Sequence, residues 1–542
     1  MTSRELSPDW FKSAVVYQIY PRSFQDSNGD GYGDVPGIIS RLDYLKTLGV
    51  DVIWLSPIYK SPQDDNGYDI SDYQDIDPMF GTLSEVEQLF KEVHQRGMKI
   101  VMDLVVNHSS DEHAWFKESA SSKDNPKRDW YIWRDEPDEL YAYFGGSAWE
   151  YSEATGQYYF HQFSKKQPDL NWENEEVRQS VYKMMNWWVD RGVDGFRMDV
   201  INLISKDWSK ADQGTWVMCQ NGPRVHEWLQ EMNHHVLRGK NLITVGEMPG
   251  ASIEWARDYT DPDRNELNMV FTFEHMDLDG KVGMSKFDYS QLKMTDLKEN
   301  LAKWQKGLED RGWNSLYWNN HDQPRIVSRW GNDGEHRVAS AKAFGTVLHL
   351  MRGTPYIYQG EEIGMTNCYF TALDQYQDIE SVNWSAEALQ DGWPLDRVLR
   401  SLQVKSRDNA RTPMLWDNST NAGFTTGKPW LKVNENFGEI NAEAALKDGE
   451  SVFWHYRDLI KLRHEHEVVV EGTFDLLWPE HEEIFAYQRI LNGKKLTVVA
   501  NLSNETVKLP NAIEDGEVLI GSVSENEFLH PWQSFAILSA TD

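Results

Sequence analysis

Cysteine is all but missing: Cys219 and Cys368 are the only two in 542 residues, and they stand far apart. No disulfide framework and no cysteine metal site follows, and a reducing compartment, the cytoplasm, fits. Basic residues are scarce too, with 54 Lys and Arg against 86 Asp and Glu, a formal net charge of −32. So acidic a chain is unsuited to nucleic acid or to an anionic membrane surface. No segment comes near the roughly 18 apolar residues that a spanning helix needs. Met1 to Trp10 has no basic segment followed by an apolar core, so no signal peptide is expected.

What remains is an ordinary globular composition, 40% hydrophobic and 26% charged, long enough for several domains with sizeable cores. Aromatics are plentiful, with 24 Trp and 23 Tyr. Most such rings pack cores, but flat apolar faces with polar edges also suit sugars.

Strand patterns recur along the chain at 15–20, 50–55, 98–106, 193–200, 243–247, 269–273, 314–318 and 355–358. Helical patterns separate most of them, for example 37–48, 84–96 (opened by the capping-box sequence Thr82-Leu83-Ser84-Glu85), 297–311 and 339–351. Eight alternating units predict an α/β fold, a (β/α)8 TIM barrel, with a doubly wound open sheet as the alternative. The rhythm breaks after the third strand, where an inserted subdomain is expected over 109–170. The barrel then occupies 1–108 and 171–468. Short alternating runs such as 484–487 and 496–500, parted by Asn-Gly and Asp-Gly turns, predict a separate antiparallel β domain over 469–542.

In such barrels the chemistry lies at the C-terminal ends of the strands. Those ends carry Asn107-His108, Arg197 and Asp199, Glu247, and Asn319-Asn320-His321-Asp322. Arg197 and Asp199 are two residues apart on a strand and so share a face. A structural ion pair explains that spacing as well as a catalytic one does. Three acids, two histidines and an arginine at one mouth are costly, however, unless they bind something polar. Splitting an acetal by double displacement needs one ionised carboxylate and one protonated carboxyl about 5–5.5 Å apart.

Asp103 to His108, Gly195 to Asn202, Val245 to Pro249 and Asn320 to Asp322 resemble the four signature blocks of the α-amylase superfamily, glycoside hydrolase family 13. Gln167 to Trp172 and Gly353 to Glu362 resemble its auxiliary blocks. The resemblance covers nearly the whole chain, and within the family it points to the bacterial oligo-1,6-glucosidases, or isomaltases. It implies Asp199 as nucleophile, Glu247 as general acid/base and Asp322 as the third carboxylate, which holds sugar hydroxyls. Arg197 is implied to keep Asp199 ionised and oriented, and His108 and His321 to donate hydrogen bonds to the glucosyl ring. Core histidines satisfied by backbone are the alternative.

Tyr68 matches a tyrosine that stacks on glucose. Asp65 with Arg407 matches a lock on the non-reducing end; Arg411 is the substitute for Arg407, and a surface ion pair is the plain alternative. Val200 matches a position where valine goes with α-1,6 linkages and alanine or threonine with α-1,4, although a β-branched residue packing at a strand end is equally compatible. Glu380 matches a leaving-group-site residue or is a solvated charge.

Asp26, Asn28, Asp30, Tyr32 and Asp34, with Gly31 at the sixth position of the run, suit a hard cation; the twelfth position is Gly37, not the glutamate of an EF-hand. The resemblance implies one structural Ca2+ there, and a metal-free Asx turn is the alternative. No organic cofactor is implied. The partner is a small oligosaccharide, and a monomer is expected. The rivals within the superfamily are an α-1,4-active α-glucosidase, a sucrose isomerase and a trehalose-6-phosphate hydrolase; the run Arg325 to Arg329 lacks the acidic residue typical of the isomerases. A non-catalytic ectodomain, like the amino-acid-transporter heavy chains, is the rival of a different class.

Overall fold

The computed structural model describes residues 9–281, 284–523 and 527–541; Met1 to Pro8, on which most of the signal-peptide expectation rests, lie outside them. Eight strands form one parallel sheet: β1 (Val16–Ile19), β2 (Val52–Leu55), β3 (Lys99–Leu104), β4 (Gly195–Met198), β5 (Ile243–Glu247), β6 (Met269–Phe271), β7 (Ser315–Leu316) and β8 (Thr354–Tyr358). Their spatial order is β6-β5-β4-β3-β2-β1-β8-β7. A parallel bridge between Val270 and Asn314 joins β6 to β7 and closes the ring. The fold is therefore the (β/α)8 barrel and not an open sheet. Every residue of β1, β2, β4, β5, β6, β7 and β8 is buried, as strands covered on both faces must be.

Local chemistry accounts for the helix ends. Thr82 and Glu85 make the reciprocal capping box, opening the helix Leu83–Gln95. Asn174 caps Glu175–Val189, which delivers the chain to β4. The continuous helix expected over 37–48 is instead two, Val35–Ser40 and Leu42–Leu48, broken at Arg41 (φ −106°, ψ 4°).

The chain leaves the barrel after β3 and returns beside its point of departure, since His108 bridges Asp169 and Tyr131 bridges Leu170. Between them lie a helix (Ala114–Ser121) and a small antiparallel sheet of Trp133–Arg134, Gln157–Phe160 and Trp149–Ser152. At the far end, β9 (Thr473–Leu477), β10 (Ile484–Leu491), β11 (Lys494–Asn501), β12 (Glu517–Gly521) and β13 (Ser534–Ala540) form an antiparallel sheet in the order β9-β10-β11-β13-β12. The β10–β11 turn is Asn492-Gly493, both at positive φ (50° and 78°), the geometry for which that dipeptide is preferred. Among the described residues no helix is long and apolar enough to cross a membrane.

Candidate active site

Parallel pairing of β3 with β4 puts Asp103 level with Arg197, and the two-residue period puts Asp199 on the same face. Arg197 Nη1 lies 2.9 Å from Asp103 Oδ1 and 2.6 Å from Asp199 Oδ1, while Nη2 lies 2.7 Å from Glu247 Oε1. One guanidinium thus serves three carboxylates. Asp103 also accepts from Tyr68 OH (3.0 Å) and Trp54 Nε1 (3.2 Å).

One cation cannot neutralise three buried acids, and their proton affinities rise accordingly. Burial first, then Asp199 and Asp322, push Glu247 up to about 8 against the pull of Arg197. Burial first, then Asp103, push Asp199 up to about 7, with Arg197 opposing. Asp103, again through burial, is raised to about 6. Near neutrality the group therefore holds a proton, and Glu247 binds it most tightly. Adjacent carboxyls of unequal proton affinity can serve one as proton donor and the other as ionised carboxylate.

At the opposite wall Gln18 Nε2 donates to His321 Nδ1 (2.8 Å), which leaves the ring hydrogen on Nε2, facing Asp322 Oδ2 at 3.1 Å. His321 is stacked on Tyr68 (centroids 5.2 Å apart, planes 4° apart). Burial lowers the pKa of His321 to about 3, so the ring is a neutral donor. Burial works to raise Asp322 as well, but His321, Arg407 and Arg411 together hold it well below the carboxylate range. Arg407 reaches Asp65 Oδ1 and Asp322 Oδ1, each at 3.2 Å, and Asp378 Oδ1 at 2.6 Å. Arg411 contacts Asp322 (2.8 Å) and the His321 carbonyl (2.8 Å). The ion pair with Asp65 is thus made by Arg407.

His108 lies within hydrogen-bond distance of the Tyr68 carbonyl (3.1 Å) and of Gln167 Nε2 (3.3 Å), the same amide that reaches Asp65 Oδ2 (3.2 Å). Asp65, Tyr68, His108, Asp199, Val200, Glu247, His321, Asp322, Glu380 and Arg407 all line one cavity of about 260 Å3. Arg197 stands behind it, reaching the cavity through the carboxylates it holds.

Val200 departs from the expectation of a strand running to residue 200. β4 ends at Met198, and Val200 sits in the left-handed region (φ 36°, ψ 42°), rare for a β-branched residue. This turn aims its N–H at Glu247 Oε2, 3.0 Å away, while the side chain packs into a cluster with Leu203, Met218 and Cys219. Glu380 is half-buried and not simply solvated: it pairs with Lys286 and lies 3.5 Å from Arg407 Nε.

The loop 26–34 lies apart from this cavity. Asp26 Oδ1 accepts from the amides of Asn28 (2.9 Å) and Gly29 (2.8 Å), and its Oδ2 from that of Gly31 (2.8 Å). Asn28 Oδ1 accepts from Asp30 N (2.9 Å) and Asp30 Oδ1 from Tyr32 N (2.9 Å). Asp34 bonds Ser27 and caps the helix Val35–Ser40 through Gly37 N (2.7 Å). Among the described residues no three Asp, Glu, His or Cys side chains converge on one metal position.

The sequence reading missed several contributors. Asp103 could have been found as the lone charge inside an apolar strand facing Arg197. Asp378, fully buried against Arg407, sits at a helix cap, Trp216 lies in a helix of only five residues, and Tyr143, Phe144 and Phe163 come from irregular segments, none of which gives a periodic signal.

Residues 18–472 match the family model described as alpha amylase, catalytic domain. The chain is 59% identical over 511 residues to the oligo-1,6-glucosidase of Halalkalibacterium halodurans, covering 92% of this chain and 91% of that one. It is 54% identical to the glucan 1,6-alpha-glucosidase of Streptococcus pneumoniae, over 97% of this chain and 99% of the relative. The crystal structure of Bacillus licheniformis trehalose-6-phosphate hydrolase superposes with a TM-score of 0.94 at 47% identity, covering 98% of this chain and 100% of that one. Barrel, carboxylate cluster and kinship agree: the chain belongs to the α-amylase family, glycoside hydrolase family 13.

Proposed function

We propose that the protein is a retaining, exo-acting α-glucosidase that hydrolyses α-1,6 bonds at the non-reducing end of isomaltose and short isomalto-oligosaccharides. Asp199 attacks the anomeric carbon while Glu247 gives its proton to the departing oxygen. Water, deprotonated by Glu247, then releases glucose from Asp199. Asp322, His321 and His108 hold the ring hydroxyls, and Tyr68 offers its face. A single guanidinium spanning Asp199 and Glu247 fits the short separation of retaining enzymes better than the roughly 6.5–9.5 Å of inverting ones.

The observation that carries the exo reading is the Asp65–Arg407–Asp322 chain, which walls off one end of the cavity beside the carboxylates. The α-1,6 preference rests on Val200 at the leaving-group side and on relatives named for that linkage. A phosphorylated leaving group gains little support, because most nearby cations already have carboxylate partners: Lys286 pairs with Glu380 and Lys281 with Asp288, while Arg329 and Lys405 share Asp279. Sucrose isomerisation gains no support either, since Arg325 is spent on the carbonyls of Gln359 and Ala410.

We also propose a structural Ca2+ in the loop 26–34, held by Asp26, Asn28, Asp30, Asp34 and the Tyr32 carbonyl. Carboxylate, amide and carbonyl oxygens are its ligand chemistry, and Asn28 Oδ1 and Asp30 Oδ1 each accept a single N–H and so keep a lone pair for a cation. Burial first, and also the charge of Asp26, raise the pKa of Asp34, a repulsion that a cation would relieve. Its chemistry is charge neutralisation alone. Two free, buried thiols fit a cytoplasmic location, and a cavity built from one chain fits a monomer.

Initial rates on isomaltose, maltose, sucrose and trehalose 6-phosphate test the reading. Isomaltose should give the highest kcat/KM. Faster maltose cleavage would overturn the linkage, and turnover of sucrose to an isomer would overturn hydrolysis.

A further inference from the structure

The loop that follows β4 ends in a short helix, Thr215–Cys219, whose side chains divide sharply. Met218 and Cys219 are fully buried, in one cluster with Val200 and Leu203, whereas Trp216 is 42% exposed. Single exposed apolar residues need no explanation in general. Trp216 differs because it lines the same cavity as Asp199 and Glu247.

Its indole is also held from two sides. Tyr143 of the inserted subdomain meets it edge to face, with centroids 5.3 Å apart and planes at 74°. Gly250, three residues beyond Glu247 and at φ +71°, packs so closely that a β-carbon there would come 2.9 Å from Trp216 Cζ2. Asn202 and Gln220 both donate to the Pro249 carbonyl, at 3.0 and 3.1 Å, and so tie the loop after β4 to the loop after β5. The ring is a fixed plate and loses little freedom on meeting a ligand.

Its position assigns its side of the cavity. The Asp65–Arg407 wall marks the non-reducing end, and the segment Glu247 to Gly250 marks the side where the leaving group is protonated. Trp216 packs against the latter. We propose that Trp216 is an outer leaving-group subsite that stacks on the third glucosyl ring of an isomalto-oligosaccharide. This rests on the exo-α-glucosidase reading above. The pyranose C–H face is apolar and uncharged, so a pinned indole with exposed area recognises it without any ionic partner.

The test compares wild type, Trp216→Gln and Trp216→Phe on isomaltose and isomaltotriose. Wild-type turnover of isomaltose checks the underlying reading separately. Stacking predicts that Trp216→Gln raises KM for isomaltotriose about three- to tenfold more than it raises KM for isomaltose. Trp216→Phe, which keeps a flat ring, should recover most of that loss. Equal changes on both substrates, or none on isomaltotriose, would overturn the assignment. Should Trp216→Gln not fold, Trp216→Leu, apolar but without a flat ring, takes its place: a larger rise in KM on isomaltotriose than on isomaltose supports the subsite, and equal or absent changes refute it.

Discussion

Arg407→Met removes the cation on which one end of the site depends, and the structure gives the cost. The wild-type side chain is 8% exposed, with Asp378 at 2.6 Å, Asp65 and Asp322 at 3.2 Å and Glu380 at 3.5 Å. Asp378 is fully buried, and its remaining cation is Arg411 at 3.7 Å. Methionine keeps much of the stem, so the loss is chiefly an uncompensated buried charge, about 3–5 kcal/mol at neutral pH.

The sign with pH follows from linkage. In the wild type burial works to raise Asp378, but Arg407 and Arg411 hold it well below the ordinary carboxylate value. A depressed pKa contributes stability above the unfolded value and loses it as pH falls through the folded one. In the variant burial prevails and the Asp378 pKa rises, so its deficit should be largest at high pH and shrink as the carboxyl takes a proton. Calorimetric unfolding of both proteins at about pH 8 and about pH 5.5 measures this, with the gap in midpoint narrowing at the lower pH. The same variant should raise KM for isomaltose, because the terminal ring loses its grip. A gap that is the same at both pH values, or a destabilisation below about 1 kcal/mol, would refute the reasoning.

The rate profile should be bell-shaped. kcat/KM falls below about 7 as Asp199 gains a proton and above about 8 as Glu247 loses its own. Glu247→Gln should flatten the upper limb and cut isomaltose turnover about 10²- to 10⁴-fold. Val200→Ala removes bulk at the leaving-group side and should move the isomaltose-to-maltose ratio of kcat/KM toward maltose by about tenfold; an unchanged ratio would remove Val200 from the specificity argument. A chelator should lower the unfolding midpoint and leave KM for isomaltose unchanged, with Ca2+ restoring up to about 2.7 kcal/mol at a hundredfold excess over Kd. An unmoved midpoint would reject the cation.

Most of the barrel was legible because its strands are buried on both faces and so read as apolar runs at regular spacing. The strand ends were less so. Val200 reads as β because it is β-branched, yet the tertiary bond from its amide to Glu247 holds it left-handed. Residues 109–170 gave little helical periodicity, and the structure places there one short helix and a sheet of strands two to four residues long. At the site, acids and histidines at strand ends stood out against apolar neighbours. Asp378 did not: it caps the helix Ile379–Gln390 and draws its meaning from Arg407, 29 residues away beyond a second helix, Leu395–Lys405, and no sequence period links the two. Similarly, nothing in the sequence indicated that Arg197 divides itself among three carboxylates, because that follows from the registers of β3 and β5 against β4.

The measurement closest to the central claim is proton NMR of the first glucose released from isomaltose by the purified protein, before mutarotation. A glucosyl unit passing through Asp199 with Glu247 as acid and then base must emerge as the α-anomer. β-Glucose appearing first would mean a single inversion, and the roles of Asp199 and Glu247 derived from their shared guanidinium would be wrong.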